Sequence, residues 1–145
     1  MIRASSPRER GQDLVEYAIT LPLFLILVFA IFDIGRGVYY YSAMYNAARE
    51  GARYGSVHPE EIGLETTICS LVVDRAIGVD LTCADVTTEL EFIDDADADT
   101  LPDYGLVKVT VIYSYPLVTP IVGAALGINT INLATKSTME TEYVP

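Results

Sequence analysis

Hydrophobic and polar positions divide the chain into a greasy beginning and an alternating remainder. Residues 17–32 hold no charged side chain, yet the run starts directly after the carboxylate of Glu16. The pattern predicts one helix over 13–55, roughly 65 Å long at 1.5 Å per residue and well beyond a hydrocarbon core of about 30 Å. Its first half is apolar on every side except at Glu16, Thr20 and Asp33, as a lipid-embedded helix requires. Pro22 removes one backbone hydrogen bond and predicts a bend or local opening. The second half changes character. Ile34, Val38, Tyr41, Tyr45, Ala48 and Ala52 recur at spacings of three and four, an apolar stripe for a partner. Beside it Ala43, Ala47, Gly51 and Gly55 recur every four residues, a small-residue ridge that admits another backbone at close range. That ridge fits docking of the chain's own sheet or packing between subunits. Tyr39, Tyr40 and Tyr41 stand where an aromatic belt marks the outer membrane interface.

After His58 and Pro59 the spacing predicts a second helix over 60–77. Its buried face is Leu64, Ile68, Leu71, Val72 and Ala76, its first turn is acidic, and Gly78 ends it. Val86, Thr88, Leu90 and Phe92 alternate as one strand, and Val107, Val109, Val111, Tyr113 and Tyr115 as a second. Residues 131–139 give a third, weaker one. The segment 116–127 is apolar but broken by Pro116, Pro120, Gly123 and Gly127, and too short to span a bilayer. The fold class expected is α+β: a long N-terminal hydrophobic helix with a small head of one helix on an antiparallel sheet of about three strands.

Charge sharpens this division. The net charge of −11 is unevenly spread: residues 1–11 carry +2, and from Tyr54 onward fifteen Asp and Glu face only Arg75, Lys108 and Lys136. So acidic a surface repels phosphate backbones and argues against nucleic-acid binding. The positive-inside rule puts residues 1–11 in the cytoplasm and the acidic part outside. Two cysteines, Cys69 and Cys83, in an exported head with a small core read as one disulfide. A link closing a loop of ~15 residues contributes about 3 kcal/mol in the chain-entropy model. With one histidine and no Cys-x-x-Cys pair, zinc has almost no support.

The basic stretch with Arg3, Arg8 and Arg10, followed by Gly11-Gln12-Asp13-Leu14-Val15-Glu16 and the apolar run, reads as a type IV prepilin leader cut after Gly11. Gln12 then becomes the new N-terminus and Glu16 the fifth mature residue. These residues, with Leu21-Pro22-Leu23-Phe24, the specific segment Asn46-Ala47-Ala48-Arg49-Glu50-Gly51-Ala52-Arg53-Tyr54-Gly55, Val109-x-Val111-x-Tyr113 before Pro116-Leu117, and Ser137-Thr138-Met139, make the chain resemble the TadE-like pilins and pseudopilins of the tight-adherence (Tad/Flp) class of type IV pili. The resemblance implies a structural subunit, pilin or minor pseudopilin, of a surface-attachment filament, cleaved by a prepilin peptidase and N-methylated. It implies other pilin subunits and an inner-membrane assembly platform as partners. The chain is then held in the cytoplasmic membrane before assembly and is extracellular afterwards. The division expected is a leader over 1–11, an assembly helix over 12–55 and an acidic head over 56–145.

Glu16 gains a role in that setting. Its carboxylate can pair with the Gln12 amine of a neighbouring subunit, so both charges leave lipid together and set register; alternatively it sits in the cytoplasmic headgroup layer. Arg49 and Arg53 suit the negative pole of the helix end, with Glu50 pairing to Arg53, and are also candidates for contact with an acidic neighbour. Asp95, Asp97 and Asp99 open like a calcium loop, but Thr100 replaces the turn glycine and Leu106 the bidentate glutamate, leaving a weak calcium candidate and no other cofactor expected. No Gly-x-Ser-x-Gly, His-Glu-x-x-His or P-loop occurs, so no enzyme is expected. The rival reading is an uncleaved single-pass anchor for an extracytoplasmic binding head.

Overall fold

The structure, a computed structural model, describes residues 7–59, 63–93, 104–119, 123, 124 and 127–142. Helix α1 spans Pro7–Val57 and α2 spans Leu64–Arg75; a single 3-10 turn at Cys83–Asp85 then leads into β1 (Val86–Ile93), β2 (Tyr104–Pro116) and β3 (Thr130–Glu142). This is the α+β arrangement expected. The three strands form one antiparallel sheet in the order β1-β2-β3. Val86 faces Val111 and Leu90 faces Val107 across one ladder, while Val107 faces Met139 and Tyr115 faces Ile131 across the other.

Alternation on β2 decides which face packs. Val107, Val109, Val111 and Tyr115 are buried, whereas Ile112 and Ser114 between them are exposed. Against this face lie Met44, Ala47, Ala48 and Ala52 of α1 and Leu64, Ile68, Val72 and Ala76 of α2, a core continued by Val79 and Leu81. Each fully buried Val or Ile there contributes about 1.5–3 kcal/mol.

Small side chains on α1 set the distance. A β-carbon on Gly51 would lie 2.7 Å from Val72 Cγ2, and one on Gly55 would lie 2.7 Å from Val107 Cγ1 and 2.9 Å from Ile68 Cδ1. The ridge of Ala43, Ala47, Gly51 and Gly55 is therefore taken up by the chain's own sheet and second helix. Contacts also fix direction: Gly55 touches Val107, Gly51 touches Val109, Gly37 approaches Tyr115, and Asp33 meets Thr119. Strand β2 thus runs antiparallel to the outer half of α1, and its far end, Pro116, returns toward the apolar run.

Several boundaries differ from expectation. Helix α1 starts before Gly11, passes Pro22 as one element and ends at Val57, not 55. The two extra residues hold because His58 N donates to the Tyr54 carbonyl at 3.2 Å and the two rings stack at 4.4 Å. Helix α2 begins at Leu64, since Gly63 takes a left-handed φ of 80° that a β-carbon disfavours. Residues 60–62, where the earlier start was expected, lie outside the described residues. It ends at Arg75, before Gly78. The stripe Ile34, Val38, Tyr41, Tyr45, Ala48 and Ala52 divides: Ala48 and Ala52 are buried in the head, and the other four remain exposed.

Candidate functional site

The apolar half of α1 is bare. From Leu14 to Phe32 its large side chains are exposed or nearly so; Phe32 is 71% exposed. This helix is long and apolar enough to cross a membrane. At its beginning Gly11, Gln12 and Glu16 all lie on exposed helix surface, with Asp13, Glu16, Tyr17 and Thr20 around one shallow recess. Glu16 forms no ion pair among the described residues.

At the other end of the run, Asp33 is buried, 6% exposed. Its carboxylate accepts the backbone N–H of Val118 at 3.3 Å and of Thr119 at 3.1 Å. The Tyr115 hydroxyl donates to the Asp33 carbonyl at 3.0 Å. One turn on, Arg36 donates through Nη2 to the Pro116 carbonyl at 2.9 Å, and its guanidinium lies 4.8 Å from the Tyr115 ring centre and 5.4 Å from that of Tyr40. Tyr40 meets Tyr115 edge-on at 5.4 Å. These contacts clasp the β2–β3 turn to the helix where the uncharged run stops. A buried carboxylate without partners would be costly, and two amide donors satisfy this one.

Sequence reading singled out Asp33 only as an exception in the apolar half and gave Arg36 no role. The signal was present: a carboxylate closing an uncharged run, with Arg36 one turn later and a Tyr-x-Tyr-Pro strand end to receive them.

The remaining candidates separate. Arg53 pairs with Glu50 through Nε at 3.2 Å and Nη2 at 3.0 Å, as the spacing of three predicts. Neither Arg49 nor Arg53 sits in the last helical turn, which holds no basic residue because α1 continues to Val57. Ala47, Gly51 and Gly55 are buried within the chain, so here they serve the head and are not open to a neighbouring subunit. Cys69 and Cys83 form a disulfide with Cα atoms 5.5 Å apart, tying α2 to the turn before β1. In the head, Lys108 hydrogen-bonds Glu89 across the β1–β2 ladder and, with its positive charge, holds that carboxyl below the usual range. Burial, with smaller help from Tyr40, pushes the Tyr113 hydroxyl up. No group of three or more His, Cys, Asp or Glu among the described residues could hold a metal ion. Asp95, Asp97 and Asp99 lie outside the described residues.

Fold and site together define a class: a protein with one long, bare, N-terminal apolar helix whose outer half is built into a small disulfide-tied head. Residues 11–53 match the family model described as TadE-like protein. The match covers α1 from Gly11 to Arg53 and ends before α2 and the sheet. No curated protein and no solved structure gives a significant match to the chain.

Proposed function

We propose that the chain is a structural subunit, pilin or minor pseudopilin, of a Tad-type pilus for surface attachment. One observation carries this: α1 exposes apolar side chains from Leu14 to Phe32, and Ile34, Val38, Tyr41 and Tyr45 prolong that uncovered surface alongside the head. Lipid can cover the first part before assembly, but only packed neighbouring helices can cover all of it afterwards. In this reading the acidic head faces outward, the leader is removed after Gly11 by a prepilin peptidase, and Glu16 pairs with the Gln12 amine of the next subunit. Other pilin subunits and a membrane assembly platform are the partners, and residues 12–55 work as the assembly helix.

One observation favours an uncleaved anchor: α1 runs through Gly11 without a break. Proteases take an extended backbone, so cleavage requires unwinding there, which glycine eases by about 1 kcal/mol relative to alanine. Intact mass of the membrane-extracted protein separates the two. Loss of residues 1–11 supports the subunit; a chain still carrying Met1 supports the anchor and overturns the proposal.

A further inference from the structure

The membrane-proximal end of the head carries a second apolar surface. Residues 109–135 contain no charged side chain, in a head whose charge is otherwise strongly acidic. Within that stretch Val118 is 60% exposed, and Ile128 and Ile131 are also uncovered. Val118 sits directly on Asp33, beside the exposed Phe29 and Phe32, with which it lines an open apolar groove. Gln12 to Asp33 is about 30 Å of helix, the thickness of the hydrocarbon core. A helix spanning from Gln12 therefore brings Asp33, and the turn clasped to it, to the outer lipid boundary.

We propose that Val118 and Ile128, in the described parts of the β2–β3 connection, form a membrane foot: they insert into the outer lipid interface, Val118 beside α1, giving the head a second contact with the bilayer. The inference rests on the reading that α1 spans the membrane. Three features fit a lipid surface as the occupant. Val118 continues the exposed apolar side of α1 at Phe29, Ile31 and Phe32. Asp33 reaches this level already hydrogen-bonded, so no bare carboxylate meets lipid. Arg36, which also lines the groove, donates to the Pro116 carbonyl and lies over the Tyr115 ring, so the cation at this level is partnered within the chain.

The chain contains no tryptophan, so one introduced indole is a unique reporter. The full chain, reconstituted in phosphatidylethanolamine/phosphatidylglycerol vesicles brominated at shallow or deep acyl positions, is examined as V118W, I128W, L25W and E91W. Positions 118 and 128 are exposed, so the fold tolerates both changes. Shallow bromines should quench V118W and I128W, at a depth of about 5–10 Å. Deep bromines should quench L25W, and E91W should be quenched by neither. Quenched L25W with unquenched, solvent-like V118W and I128W overturns the foot and leaves the spanning helix standing. Blue-shifted but unquenched V118W that depends on the protein-to-lipid ratio means a second copy covers the turn, which also overturns it. Unquenched L25W removes the spanning reading, and the foot with it.

Discussion

Asp33 and Thr119 stand 86 positions apart in the chain, and a hydrogen bond of 3.1 Å between them joins the apolar helix to the far end of the sheet. Asp33→Ala strands the buried N–H of Thr119 and the part-buried N–H of Val118, at about 1–3 kcal/mol. Asp33→Asn keeps one acceptor oxygen and should cost less. Urea unfolding in detergent, followed by near-ultraviolet tyrosine dichroism, measures both. An Asp33→Ala midpoint equal to wild type would show that the clasp contributes nothing.

The ridge makes an opposite pair of expectations. Gly55→Val drives methyl groups into Val107 and Ile68 and should destabilise the head by about 1–3 kcal/mol. Gly35 has nothing within 4 Å of its missing β-carbon, so Gly35→Ala should stabilise the helix by up to about 1 kcal/mol. Equal behaviour of the two variants in the same unfolding assay contradicts the close approach at Gly55.

Alkylation of the folded, exported protein without reductant should label neither Cys69 nor Cys83. Reduction, or the double change to serine, should cost about 3 kcal/mol, because the unfolded chain regains the freedom of the closed loop. Thiol labelling before reduction contradicts the link.

Acid should weaken the β1–β2 ladder through Glu89. Its folded carboxyl lies below the ordinary value, so its contribution is complete above the unfolded glutamate pKa and disappears as pH falls through the folded one. Glu89→Gln should therefore be less stable than wild type near neutrality and match it in strong acid. A difference that stays constant over that range assigns the pair no role in acid sensitivity.

Glu16→Val tests assembly apart from insertion. The variant helix is more apolar, so it should enter the membrane at least as well as wild type. In the proposed filament, the amine of a mature Gln12 would then be left charged and unpaired in the packed core, at several kcal/mol per buried ion. The ratio of sheared surface protein to membrane protein should fall. An unchanged ratio makes Glu16 a headgroup-layer residue.

The long uncharged run made α1 legible, and period made the three strands and most of the buried face of α2 legible, because one-sided burial writes itself into spacing: Val107, Val109 and Val111 at two, Leu64, Ile68 and Val72 at four. Leu71, expected on that face, is only partly buried. The ends were less legible. Gly63 starts α2 by its backbone angle, and Tyr54 with His58 prolongs α1 by a ring contact, neither of which is periodic. The ridge was visible as small residues, but not which of two partners filled it. Its division from the exposed Ile34, Val38, Tyr41 and Tyr45 depends on a rotation of the helix that only packing fixes. The clasp was hidden for a further reason. Asp33, Tyr115 and Thr119 become neighbours only because β2 runs antiparallel to α1, and no local pattern records that direction.

That antiparallel seam has a mechanical outcome. The head is held to α1 at Asp33 near one end and at Gly55 near the other, about 33 Å apart along the helix axis. Between these two fixings no hinge separates shaft from head. Turning the shaft turns the head by the same angle, and a pull on the head is carried along the strand into the helix rather than into a flexible neck. Whatever grips the bare lower helix therefore sets the bearing of the acidic surface above it.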